Sequence, residues 1–255
     1  MNLRFTALLC LFLILCTNLI GCKEHPDRLL VFSAASLAGA LGPIGQTFTQ
    51  VHGISVDFSF GGSTALARQL LRGSPGDVFI SAGSDPIRLL LDEQPPIATI
   101  PVNLLTNKLV LIGRTESKQS LTSPTDLLKP TTSKIAIADP HLAPAGRYTQ
   151  IALQNLNLWE QLEEKLIFGA NVRATLAYLE GNYVDVAIVY ESDVKVDSQF
   201  KILFEFNPEL HPEITYQGIV LKHSNNQSKA TSFVHFLRSE EVQEIFRNHG
   251  FIPWE

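Results

Sequence analysis

Leu29-Leu30-Val31-Phe32-Ser33-Ala34-Ala35-Ser36-Leu37 passes from an apolar run into small hydrogen-bonding residues. Leu29 to Phe32 suits a buried strand, and the residues that follow, to about Gln50, suit a helix. A helix N-terminus offers unpaired N–H groups and the positive end of a dipole, so it attracts an anion without any cationic side chain. The same handover recurs at Gly61-Gly62-Ser63-Thr64, Pro144-Ala145-Gly146 and Asn171-Val172-Arg173, while Val189-Tyr190-Glu191-Ser192 ends an apolar run with a tyrosine. Several such termini meeting at one point would form a cage for a small oxyanion.

Outward from this stretch the chain alternates strand and helix. Ile54 to Phe60 and Asp77 to Ser81 read as strands, and Thr64 to Leu71 and Pro86 to Leu91 as helices, which predicts a parallel sheet covered on both faces. A second unit starts near Lys108, with strands at Leu109 to Ile112, Lys134 to Ala138 and Val184 to Val189. Helices are expected at Pro124 to Leu128, Gly146 to Leu158 and Val172 to Leu179. Ile202 to Phe206 and Ile214 to Leu221 are extended, and Gln227 to Arg238 and Glu240 to Asn248 are helical. The fold class is therefore α/β with two lobes, each a mainly parallel sheet flanked by helices. Lobe I is expected over residues 29–104 plus 216–255 and lobe II over 105–215, with a ligand cleft between them.

Residues 1–21 carry Arg4 and then an apolar stretch too short to span a bilayer comfortably, the pattern of a secretory signal. Leu19-Ile20-Gly21-Cys22 looks like a lipoprotein cleavage site, which would make Cys22 the lipidated first residue, joined to the domain by a tether over 22–28. Cys10 and Cys16 lie in the leader, so the mature chain has one cysteine and no internal disulfide or thiolate metal site. The net charge is −5, and there is no basic run with interleaved aromatics, so nucleic acid is not an expected partner. An acidic chain that captures an anion must do so by local dipoles.

Ser36 and Ser63 each admit two readings, a helix cap or a hydroxyl presented to a ligand. Ala145 and Val172 could offer only backbone N–H, and Tyr190 offers a phenol that could equally be packing. Arg147 reads either as an exposed helical residue or as a charge near the cleft. The seven histidines, His25, His52, His141, His211, His223, His235 and His249, show no metal-ligand spacing. No nucleophile elbow or phosphate-binding Gly-rich loop is present, so an enzyme is not expected.

Taken in order, Phe32-Ser33-Ala34-Ala35-Ser36-Leu37, Phe60-Gly61-Gly62-Ser63-Thr64-Ala65-Leu66-Ala67-Arg68-Gln69 and Gly76-Asp77-Val78-Phe79-Ile80-Ser81-Ala82 resemble the periplasmic molybdate-binding proteins of bacterial ABC transporters. Asp139-Pro140 to Pro144-Ala145-Gly146, Asn171-Val172-Arg173 and Ile188-Val189-Tyr190-Glu191-Ser192-Asp193 continue the resemblance. It implies a two-lobed periplasmic-binding-protein fold, type II-like, holding dehydrated molybdate or tungstate by neutral donors. Ser36 and Ser63 would donate from hydroxyl and backbone, Ala145 and Val172 from backbone N–H, and Tyr190 from its hydroxyl. Molybdenum would be present only as the bound oxyanion, with no cofactor. The implied partners are that oxyanion, an ABC permease in the inner membrane and, through Cys22, the membrane itself. The protein is expected to be an exported monomer facing the periplasm or outer surface. A binder of another oxyanion, sulfate or phosphate, is the alternative. A site made only of donors suits an ion made only of acceptors.

Overall fold

The computed structural model describes residues 27–117, 120–195 and 199–255. The signal peptide, Cys22 and most of the tether expected from the sequence lie outside them.

The chain opens as β1 (Arg28–Ala34), a 3₁₀ turn (Ala35–Leu37), α1 (Ala38–His52), β2 (Ser55–Gly61), α2 (Ser63–Leu71), β3 (Val78–Ser81), α3 (Ser84–Leu91) and β4 (Val102–Thr106). It continues with β5 (Leu109–Arg114), β6 (Ile135–Ala138), α4 (Pro144–Asn155), α5 (Trp159–Leu162), β7 (Leu166–Gly169), α6 (Val172–Glu180), β8 (Val186–Tyr190), α7 (Ser192–Lys195) and β9 (Phe200–Glu205). The last elements are β10 (Thr215–Val220), α8 (Gln227–Phe236), α9 (Glu240–Asn248) and β11 (Ile252–Pro253). One sheet has the order β11-β4-β10-β3-β1-β2 and the other β7-β6-β8-β5-β9.

The apolar runs at β3, β6 and β8 are buried along their whole length, as strands covered by helices on both faces must be. Both sheets are mixed rather than mainly parallel. β1 pairs in parallel with β2 and β3, and β6 with β7 and β8. The antiparallel pairings are β10 with both β3 and β4, and β11 with β4, in the first sheet, and β5 with both β8 and β9 in the second. The cause is topological. The chain leaves the first sheet after β4, enters the second at β5, leaves again after β9 and returns at β10. Outgoing and returning strands lie side by side and so run in opposite directions.

Three strands had no expectation in the sequence: β4 and the short edges β7 and β11. The helix expected to reach Leu158 stops at Asn155 instead. Asn157 adopts φ 56°, a left-handed conformation that asparagine tolerates and that ends a helix. The stretch Pro124–Leu128 is a 3₁₀ turn, closed at its start by a capping box between Ser123 and Asp126.

Candidate anion site

The C-terminal ends of β1 and β2 in the first sheet face those of β6, β7 and β8 in the second across one small recess, with about 210 Å³ of space between atoms. Ser36, Ser63, Ala145, Val172 and Tyr190 all line it, so the structure brings together every site residue expected from the sequence. Each is buried. Among the described residues, no lysine, arginine, histidine, aspartate or glutamate lines the recess. A much larger hollow, about 1160 Å³, opens on the first lobe beside Ile100 and Val234, but its walls are mainly apolar and no helix start points donors into it. Among the described residues no cluster of histidine, cysteine or carboxylate could hold a metal ion.

Local geometry explains how donors reach this point. Ser36 sits inside the 3₁₀ turn rather than at its cap, which is Ala34. Ser63 is the first residue of α2, with Gly62 at the cap position. Neither serine caps its helix, so the capping alternative is not what the structure shows. Instead the Ser36 hydroxyl bonds Tyr216 Oη at 2.9 Å, and Ser63 Oγ accepts the Ala82 N–H at 3.1 Å. Pro144 begins α4 and has no N–H, so Ala145 carries that helix's first donor. In α6 the Asn171 side chain accepts from the N–H groups of Arg173 and Ala174, at 3.0 and 3.1 Å. That cap leaves the N–H of Val172 outside its reach.

Tyr190 closes the recess. Its ring is 1 % exposed and its hydroxyl has no hydrogen-bond partner among the described residues. Burial pushes the phenol well above its ordinary pKa, so it remains a protonated donor. A buried hydroxyl left unpaired costs about 1–3 kcal/mol, an unfavourable arrangement that a bound acceptor would relieve.

The two lobes meet directly at the rim of this recess. Ala65 N–H donates to Leu142 O at 3.1 Å, and Arg68 Nη1 donates to His141 O at 3.0 Å. Gly62 lies so close to the second lobe that a Cβ there would fall 2.4 Å from Leu142 O and 2.9 Å from Ala170 O. Arg147 is exposed, donates to Gln150 Oε1 at 3.0 Å and faces a neighbouring hollow with Asp85 and Tyr148. It does not line the recess.

Sequence reasoning missed the residues behind the site. Asn107 lies in the first crossing between sheets and Tyr216 at the start of β10, and no local spacing links two residues 109 positions apart. Asp193 is also buried. Its Oδ2 accepts the Tyr190 N–H at 3.1 Å and its Oδ1 has no partner among the described residues. Burial raises its carboxyl to about 6, against the opposing pull of Arg173 and of the Tyr190 N–H.

The sequence profile of the bacterial extracellular solute-binding proteins matches residues 29–252. The chain belongs to that family. The molybdate-binding protein ModA of Escherichia coli is 34% identical over 230 residues, covering 88% of each chain. The Bacillus subtilis protein YvgL, named as an ABC transporter substrate-binding lipoprotein, is 30% identical over 90% of this chain and 88% of its own. Among solved structures, the periplasmic molybdate-binding protein of Azotobacter vinelandii superposes with a TM-score of 0.80, over 89% of this chain and all of that one. At 20% identity this last likeness speaks for the fold alone. The resemblance read from the strand ends is borne out, and with it the periplasmic-binding-protein fold. These relatives are solute-binding proteins, not enzymes.

Proposed function

We propose that this solute-binding protein captures molybdate or tungstate outside the cytoplasm and delivers it to an ABC importer in the inner membrane. One observation carries the reading: helix starts from both lobes and a buried phenol, unpartnered among the described residues, converge on a recess that none of those residues lines with a charge of either sign. Ser36, Ser63 and Tyr190 would donate from hydroxyls, the serines also from their N–H groups, and Ala145 and Val172 from backbone N–H. A fully deprotonated tetrahedral anion accepts from all of them, while the absence of a carboxylate avoids repulsion. Residues 29–104 with 216–255 form one lobe and 105–215 the other. An anion touched from both sides stabilises the closed arrangement, because only that arrangement offers all the contacts. No resident cofactor is needed, and the protein acts as a monomer.

Calorimetric titration of the chain without its leader, against molybdate, tungstate, sulfate and phosphate, tests this function. The expected result is one site per chain, with molybdate and tungstate bound far more tightly than sulfate or phosphate. Sulfate or phosphate binding as tightly as molybdate would replace this reading with the other oxyanion.

Lipid anchoring belongs to the same proposal. It is supported by the Leu19-Ile20-Gly21-Cys22 sequence and by the lipoprotein name of the Bacillus subtilis relative. One acyl chain gives only marginal membrane binding, so a multiply acylated Cys22 is the anchor invoked. Cys22→Ser is therefore expected to move the protein from the membrane fraction to the soluble fraction. A variant that is processed and still sediments with membranes would refute the anchor.

A further inference from the structure

We propose that Asn107 and Tyr216, neither of which lines the recess, fix the Ser36 hydroxyl as a donor to the anion. Resting on the anion-site reading above, this assigns the site a device for selecting fully deprotonated oxyanions.

The backbone dictates which way the Asn107 amide points. Asn107 Oδ1 faces two main-chain donors, the N–H of Lys108 at 2.9 Å and that of Ser192 at 3.4 Å. The amide oxygen must face them, because an N–H cannot bond to an NH₂. Asn107 Nδ2 is thereby turned to Ser192 Oγ at 2.8 Å and Tyr216 Oη at 3.3 Å. An amide nitrogen only donates, so Tyr216 Oη accepts on that side.

Tyr216 is fully buried, and burial raises its phenol far above the ordinary range, so it keeps its own proton. The partner placed to take that proton is Ser36 Oγ, 2.9 Å away. Ser36 Oγ accepts it and is left with its own hydrogen for the recess. The order is Asn107 to Tyr216 to Ser36 to anion, each group accepting behind and donating ahead. Ser63 is set the same way by a shorter route, since the Ala82 N–H occupies its oxygen at 3.1 Å.

Both serine hydroxyls therefore meet the ligand as donors. A tetrahedral ion that carries its own proton, such as hydrogen phosphate, must find an acceptor, and a serine oxygen that already accepts from behind and turns its hydrogen to the ligand offers a poorer one. An ion with acceptors only loses nothing. Asn107 bonds Tyr216 in the first sheet and Ser192 just beyond the second, so the donor direction is set at the joint between lobes.

The test is a double-mutant cycle read by calorimetry with molybdate and with inorganic phosphate. Tyr216→Phe keeps the ring that packs edge-on to Phe251 at 5.4 Å and to Tyr190 at 6.1 Å. It is expected to weaken molybdate binding about fivefold, the worth of one neutral hydrogen bond, and to narrow the gap between molybdate and phosphate. In a Ser36→Ala background the same change is expected to cost nothing further, because Tyr216 acts through that hydroxyl. A purely structural role would instead give losses that add. Asn107→Asp provides a second route should Tyr216→Phe fold poorly. Its carboxylate takes the Tyr216 proton instead of donating to that oxygen, so the same narrowing of the gap is expected. Additive losses, or an unchanged phosphate ratio in every folded variant, overturn the relay while leaving the anion site standing. A wild-type chain that binds neither ion overturns the site reading and the relay together.

Discussion

Gly62→Ala weakens anion binding on the order of a hundredfold while leaving the unliganded chain as stable as wild type. The added Cβ would lie 2.4 Å from Leu142 O, 2.9 Å from Ala170 O and 3.0 Å from Leu142 C, all of them main-chain atoms of the opposite lobe. Main chain in the turns that follow β6 and β7 cannot swing aside as a long side chain can, so the lobes must part. Parting them removes the Ala65 N–H to Leu142 O bond and draws Ala145 and Val172 away from Ser36 and Ser63. Overpacking of this kind costs about 1–3 kcal/mol and a lost hydrogen bond about 1 kcal/mol more, which together correspond to roughly two orders of magnitude in affinity. The strain exists only with the lobes together, so an open, empty chain escapes it. Calorimetric titration with molybdate alongside thermal unfolding without it checks both halves. Affinity within threefold of wild type would mean that binding does not require this closure.

Asp193→Asn stabilises the protein at neutral pH by roughly 3 kcal/mol and has little effect near pH 4. The carboxyl is buried and its folded value, about 6, lies above the roughly 3.9 of an unfolded aspartate. Between those values the folded chain holds a proton that the unfolded chain has lost. The contribution to stability is therefore complete below about pH 4, falls as pH rises and is gone above about pH 6. The folded and unfolded values differ by about two, and each tenfold change in proton affinity is worth about 1.4 kcal/mol, which gives the magnitude. Asparagine keeps an oxygen for the Tyr190 N–H now bonded at 3.1 Å, and it never ionises. Burial is the larger influence on this group, and Arg173 acts against it from α6. Denaturant unfolding of both proteins from pH 4 to 7.5 gives the difference directly. A difference that stays flat, or that favours wild type as pH rises, would show that Arg173 outweighs burial and that Asp193 is held as an ion.

Much of the site was legible along the chain because its donors are local. A serine just after a strand, a proline at the first position of a helix and an asparagine at a cap each announce a helix start within four or five residues. Their joint occurrence, at Ser36, Ser63, Ala145 and Val172, was enough to suggest a cage for an anion. Other features were not legible. The hydroxyls of Ser36 and Ser63 could be read as helix caps or as ligand donors, and only the positions of Tyr216 and Ala82 show that they are held from behind by other groups. The mixed character of the sheets was hidden as well, since strand direction depends on where the chain crosses between lobes and not on the residues of any one strand.

The sequence by itself determined the α/β alternation, the neutral chemistry of the helix starts and the lack of any charged ligand set at them, because each is a property of a few adjacent residues. Tertiary structure alone decided that those starts meet at one recess, that Gly62 marks the contact between lobes, and that Asn107 and Tyr216 stand behind Ser36. The physical reason is separation: hydrogen-bond direction and steric fit are set by groups within about 3 Å of each other, and here those groups come from chain segments separated by one or both crossings.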